Sequence, residues 1–405
     1  MTAIGPAAAP AVPEVGRPVR ALVVDRRFGP FFWGSLVSNT GTWLQSMSAV
    51  LLVFGITGSA TAVGVVAVAQ YSGYVLLAPV AGQLADRFDR RRLLLVTQSV
   101  GLLGAAGLVL AVSDGSYGIL PIYVGVAVTG CAQALSVPLI HALVPTLVPA
   151  ADLPGAVALQ SLTYNVSRAV GPALGATALV AVGPVVTFGA NAASYVAMLL
   201  GLMWTVPARR ADPRRGRRES VLRYLRGHRA VAARLLVVGA VGFAVDAVNT
   251  LAPPVVARLG QGDESVGVLV SAFGIGGAVM LVLAVSVIRR IGDGPAAVIG
   301  LCVLAAALVV FGNVVSYRVV APVLVLAGAG FVLGQTALTT SIQRAVPDAV
   351  RGRVAALWAV LFLGIRPFAA VVNGGLADLA GVGVAVLVPA TLLVLGLITV
   401  RGRKT

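Results

Sequence analysis

From residue 28 to residue 400 the chain is one apolar run after another, each long enough to cross a ~30 Å hydrocarbon layer. That recurrence decides the fold class. In lipid every backbone polar group must bond within its own segment, so runs of this kind fold as helices. They fall at 28–54, 62–82, 93–112, 119–145, 155–181, 185–206, 232–257, 266–288, 296–314, 319–343, 353–376 and 382–400, which makes twelve. Only 11% of the 405 residues are charged, against roughly 25% in a soluble domain. The expected chain is all-α and membrane-embedded. Its parts are a disordered tail at 1–27, six helices at 28–206, a basic linker at 207–231, six more helices at 232–400 and a short tail at 401–405.

The net charge of +16 reads as topology rather than as nucleic-acid binding. With the amino terminus cytoplasmic, the basic residues fall on the cytoplasmic side, except Arg258 and Arg318 in outer loops and Arg168 and Arg366 within spans. The outer loops also carry Asp114, Asp263, Glu264 and Asp378. So one-sided a distribution places both termini in the cytoplasm. The linker carries the densest run, with Arg209, Arg210, Arg214, Arg215, Arg217 and Arg218, and a basic amphipathic helix is expected from Glu219 to Arg229. Lys404 is the only lysine, an arginine usage that fits a GC-rich bacterium and its inner (cell) membrane. Cys131 and Cys302 each sit inside an apolar run, which is neither a disulfide framework nor a metal site. There is no P-loop and no nucleophile elbow, so neither an enzyme nor a cofactor is expected.

Three charges inside spans stand out, because each costs ~2.5 kcal/mol or more in hydrocarbon and needs a cavity or a partner. Arg168 and Arg366 lie 198 positions apart, and the same offset aligns Val148-Pro149 with Val346-Pro347 and Leu159 with Leu357. The two halves thus read as parallel repeats. Asp246 is the midspan carboxylate, with Asn249 and Thr250 on its helix face. It is expected to pair with one of the arginines in one state and release it in another, on protonation; the alternative is a static polar network.

The stretch Gly82-Gln83-Leu84-Ala85-Asp86-Arg87-Phe88-Asp89-Arg90-Arg91-Arg92 joins the second and third runs. Its pattern, G-x-L-x-D-R-x-x-R-R, resembles the signature loop between helices 2 and 3 of the major facilitator superfamily, with Asp89 where glycine is usual. Ser167-Arg168-Ala169-Val170-Gly171-Pro172-Ala173-Leu174-Gly175-Ala176 resembles the helix 5 motif of that superfamily's exporters. Val346 to Val354, Leu153 to Leu159 and Asn191 to Tyr195 are similar to the enterobactin-exporter and macrolide-efflux branch.

The resemblance implies two pseudo-symmetric six-helix lobes and a monomer that rocks between inward-open and outward-open states. It implies export of a hydrophobic or amphiphilic small molecule, a drug or a secreted metabolite such as a siderophore, by proton antiport. A facilitator or importer of the same fold, and a non-transporting receptor or scramblase, stay open as alternatives. Asp86, Arg87, Arg90 and Arg91 would lock the cytoplasmic ends of the lobes, and Gly171 and Pro172 would form a close-packed, kinked interface. Arg168, Asp246 and Arg366 would couple. In this fold the first helix of each three-helix unit lines the cavity, so Asn39, Trp43, Gln45 and Gln335 are expected to meet substrate, together with Gln133 and Asn249.

Overall fold

The computed structural model describes residues 17–77, 80, 84, 88–115, 118–205 and 221–401. Asp86, Arg87 and Gly82 of the signature loop lie outside the described residues, as do 1–16 of the first tail, 206–220 of the linker and 402–405.

A short helix α1 (Val19–Val23) precedes the first lobe. That lobe comprises α2 (Gly29–Thr57), α3 (Ala60–Leu76), α4 (Arg90–Ala111), α5 (Ile119–Leu147) and α6 (Leu153–Trp204). Helix α6 is two spans in one. Gly183 breaks it at φ 77°, ψ 174°, a conformation open to glycine, and Pro184 follows. The break falls between the expected runs 155–181 and 185–206.

After α7 (Val221–Gly227), the second lobe comprises α8 (Arg229–Arg258), α9 (Glu264–Ile291), α10 (Asp293–Asn313), α11 (Tyr317–Ala345), α12 (Asp348–Gly364), α13 (Arg366–Ala380), α14 (Val382–Ala385) and α15 (Leu387–Arg401). Helices α12 and α13 form one span broken at Ile365, before the buried Arg366 and Pro367. Helices α14 and α15 form another. Among the described residues this gives the twelve spans in two lobes of six.

Of the expected first tail, residues 17–27 are described, and they are clasped to the lobe. Asp152 accepts from the Arg17 backbone amide at 2.6 Å and from Arg17 Nε at 2.7 Å, while Arg17 also reaches Asp25 at 2.8 Å. Leu22, on the apolar face of α1, is fully buried. The basic helix expected from Glu219 appears as α7, and Tyr224 stacks on His228.

The ends of the bundle differ. One carries Arg20, Arg26, Arg27, Arg90, Arg91, Arg92, Arg226, Arg229, Arg289, Arg290 and Arg344, and is called the basic end. The far end carries the turns at Gly58, Gly183, Gly260 and Gly381. In this conformation Arg90 and Arg91, expected to lock the lobes in one state, make their hydrogen bonds within their own lobe. Arg90 donates to the Ala142 carbonyl at 3.0 Å, and Arg91 to the Leu202 and Met203 carbonyls at 2.8 and 2.6 Å. Both satisfy late carbonyls of helices in their own lobe. Asp89 caps α4 by accepting from the Arg92 amide at 2.8 Å, which accounts for an aspartate at that position of the loop.

Candidate functional site

The lobes meet along small residues. Gly171 and Gly175 press on Trp43, Thr40 and Leu44 of α2, so the glycine face of α6 packs inside its own lobe. The opposite face of α6 makes the contact between lobes, where Gly267 and Gly274 of α9 sit on Pro172, Ala173 and Ala169. Next to Pro172, the Ala173 amide donates to the Ser271 hydroxyl at 2.9 Å. On the other side of the molecule, Gly64 of α3 and Gly374 of α13 bring those helices into backbone contact at Ala370 and Ala60.

That second seam is latched at the far end. Ser59 donates to Asp378 Oδ2 at 2.7 Å, and the first amides of α3, from Ala60 and Thr61, reach the same carboxylate at 2.9 Å each. A carboxylate from one lobe therefore caps a helix of the other, where the amides are unpaired and the helix dipole is positive.

Between the seams lies a cleft of about 30 Å³, lined by both lobes. Trp43, Ser46 and Met47 come from α2, Gln70 and Tyr71 from α3, Pro172 from α6, and Asp246, Asn249 and Thr250 from α8. Asp246 is buried, and its Oδ2 accepts from the Thr250 hydroxyl at 2.9 Å. Among the described residues no ion pair joins it to an arginine, so the expected pairing is not made in this conformation. The expected helix face of Asp246, Asn249 and Thr250 is present and turned to the cleft.

Each span arginine faces at least one ring of the opposite lobe and one of its own. Arg168, half-buried on α6, lies 5.0 Å from the Phe273 ring and 4.8 Å from the Phe331 ring, with Trp43 at 6.0 Å. Arg366, buried at the start of α13, lies 4.9 Å over Tyr71 and 5.2 Å over Phe362. It also donates to the Tyr71 hydroxyl at 2.8 Å. Phe273, Phe331, Phe362 and Trp358 form one run of stacked rings, so the two guanidiniums bracket a single aromatic stack. A guanidinium over a desolvated ring is worth about 2 kcal/mol, which offsets much of the cost of burying it.

Tyr71, Phe273, Phe331, Phe362 and Trp358 were not among the residues expected from the sequence. Trp358, Phe362 and Arg366 recur every four residues, a stripe the sequence does display. The polar residues expected to touch substrate divide. Trp43 and Asn249 line the cleft. Gln45 does not: its amide nitrogen donates to Thr129 at 3.1 Å and its oxygen accepts from Asn191 at 2.6 Å, inside the first lobe. Asn39 donates to Thr163 at 3.3 Å, again within that lobe. Gln133 is half-buried on α5 and does not line the cleft. Gln335 is buried one turn beyond Phe331, with neither amide atom hydrogen-bonded, as is Asn373 on α13.

A family model described as transmembrane secretion effector matches residues 22–404. The chain belongs to this family. It is 26% identical over 369 residues to the enterobactin exporter EntS of Citrobacter koseri, spanning 88% of this chain and 84% of that protein. It is 27% identical over 273 residues to the staphyloferrin A transporter of Staphylococcus aureus, spanning 65% of this chain and 68% of that protein. The crystal structure of the nucleoside transporter NupG superimposes with a TM-score of 0.71 at 10% identity, covering 92% of this chain and 98% of that one, which speaks to fold alone. The chain is a multi-pass transporter of the major facilitator superfamily and not an enzyme. In a transporter, a cleft lined by both lobes and carrying a buried carboxylate is the candidate translocation site.

Proposed function

We propose that this transporter exports an amphiphilic, neutral or anionic small molecule, a drug or a secreted metabolite such as a siderophore, by proton antiport with alternating access. The observation that carries the reading is the arrangement at the interface. Asp246 stands in the cleft without an ion-pair partner among the described residues, while Arg168 and Arg366 each reach an aromatic ring of the opposite lobe. Rings and guanidiniums suit a cargo with flat apolar parts and negative charge. Two relatives bear the names of siderophore transporters, one of them an exporter. The basic end faces the cytoplasm of a bacterial cell and both termini lie there, by the positive-inside rule. The protein works as a monomer, since each chain contributes both walls of its own cleft.

The cleft of about 30 Å³ is far smaller than the ~300–1,000 Å³ of a small-molecule site. With α3 latched to α13 at the far end, this conformation is the outward-closed one, and cargo enters when the lobes part at the basic end. Asp246 is the proton carrier and Thr250 its local donor. Protonation removes the buried negative charge from the cleft and leaves the two span cations at the lobe interface for an anionic cargo to meet.

The test is cargo-dependent proton movement in proteoliposomes, using a panel of siderophores, dyes and antibiotics with wild type and Asp246→Asn. Proton flux that needs both cargo and Asp246 supports antiport. Cargo movement without proton flux, equal in the two proteins, makes the chain a facilitator and Asp246 a structural group.

A further inference from the structure

A second cavity, of about 380 Å³, lies within the second lobe and shares no lining residue with the cleft between lobes. It is bounded by α8, α10, α11 and α15 at the basic end. Val237, Ala297, Leu301, Leu338 and Leu397 form buried apolar walls. Its polar part is Arg234, Asp293, Ser341 and Arg344. Asp293 stands at the first residue of α10 and Leu301 eight residues on, so the cavity runs ~12 Å from the helix end into the bundle. That depth reaches from lipid headgroups into the first acyl carbons.

The polar part is half satisfied. Arg344 donates to Asp293 Oδ2 at 2.7 Å. Asp293 Oδ1 is buried and has no hydrogen-bond partner. Arg234 is half-buried on α8, and no ion pair joins it to any carboxylate among the described residues. The site thus presents one guanidinium without an anion, one acceptor without a donor, and an apolar slot beneath them. Two cations and one anion leave it net positive by a single charge.

We infer that this cavity binds a monoanionic glycerophospholipid, phosphatidylglycerol, taken from the leaflet at the basic end. The phosphodiester meets Arg234, a headgroup hydroxyl donates to Asp293 Oδ1, and the first acyl carbons lie along Leu301, Leu338 and Leu397. A choline headgroup has no donor for Asp293. An ethanolamine headgroup brings its own cation to a site already positive. A free inorganic anion leaves the apolar slot unfilled. A lipid seated here braces α8, α10, α11 and α15 beside the cleft without entering it. The inference rests on the chain's place in a membrane and not on the cargo or the proton.

The experiment is native mass spectrometry of the purified full chain, incubated with phosphatidylglycerol, phosphatidylethanolamine or phosphatidylcholine of matched acyl chains, or with inorganic phosphate. Wild type should keep one phosphatidylglycerol at activation energies that strip the other lipids, and phosphate should not displace it. Arg234→Gln, at a half-exposed position that preserves packing, should weaken retention roughly tenfold, the loss of one charge-assisted hydrogen bond. Ala297→Phe should block the slot, with its unfolding temperature followed to check the fold. Arg318→Gln, at an exposed far-end position, should change nothing. Equal retention of the three lipids, retention untouched by Arg234→Gln, or displacement by phosphate alone would each overturn the assignment.

Discussion

Arg366 of the second lobe donates a 2.8 Å hydrogen bond to the hydroxyl of Tyr71 in the first lobe while its guanidinium lies 4.9 Å over the same ring. Arg168, at the matching position of the other repeat, reaches the opposite way onto Phe273 and Phe331. Each lobe thus sends one span arginine onto an aromatic surface of the other. Neither contact is an ion pair, so both can break on lobe rotation without stranding a buried carboxylate. That property suits a joint made and broken once per cycle.

Tyr71→Phe keeps the ring and deletes the hydroxyl. A hydrogen bond to a charged group contributes about 1.5–3 kcal/mol, so the closed population should fall roughly tenfold or more relative to the open one. Spin-label distances across the far end would report it. Arg366→Gln removes the ring contact as well and should stop transport. An unchanged distance distribution in Tyr71→Phe would mean that the bond does not hold the lobes.

The latch at Asp378 gives a covalent test. A Cβ built on Gly375 lies 4.0 Å from Thr61 Oγ1, so side chains at the two positions meet across the seam. The pair T61C/G375C, in a chain with Cys131 and Cys302 replaced by alanine, should cross-link on mild oxidation and arrest transport until reduced. Adding Asp378→Ala should slow cross-linking severalfold, because three hydrogen bonds that hold the two helix ends together are gone. Free transport by the cross-linked protein would show that the far end does not open.

What the sequence disclosed and withheld follows from the range of each signal. A charge in an apolar run is conspicuous by itself, so Arg168, Asp246 and Arg366 were legible, as was the break near Gly183. A polar residue in a span is ambiguous until its partners are known. Gln45 read as a substrate contact because Thr129 and Asn191, its actual partners, lie 84 and 146 positions away. Asp378 read as one more outer acid because the helix it caps begins 318 positions earlier. The rings beneath the arginines were hidden for another reason: hydropathy scores a phenylalanine alike whether it faces lipid or a guanidinium. Only the spacing of Trp358, Phe362 and Arg366 pointed to them.

Close helix approach makes Gly64 a sensitive position. A Cβ there stands 2.6 Å from the Ala370 carbonyl oxygen, backbone that cannot swing aside. Gly64→Val should wedge α3 from α13 and favour the far-end-open state, with little effect on the fold of either lobe. Gly107 on α4 has open space at its Cβ, so Gly107→Val serves as the neutral control. Cysteine-reagent labelling at T61C should speed up in Gly64→Val and stay constant in Gly107→Val. Equal labelling in the two would remove the seam from the gating argument.

The clasp at the first lobe predicts a pH response with a defined sign. Partial burial pushes the Asp25 carboxyl up. The Arg17 side chain, the amides of Arg27 and Phe28, and the Arg17 charge outweigh that and hold it below its ordinary value of 3.8. A carboxylate depressed by folding contributes stability above its unfolded value and loses it as the pH falls through the folded one. Hydrogen-exchange protection at residues 18–27 should therefore be the same at pH 5 and pH 7.5, and should drop only below about 3.8. Arg17→Ala should lower the protection at every pH, since it removes the side-chain bonds to both Asp25 and Asp152 and leaves only backbone amides on the two carboxylates. Arg17→Lys should restore little of it, because one ammonium cannot reproduce the separate contacts that Nε and a terminal nitrogen make to the two carboxylates. Protection that fades between pH 7.5 and pH 5 in the wild type would point instead to a group that titrates higher, and would take the clasp out of Asp25's control.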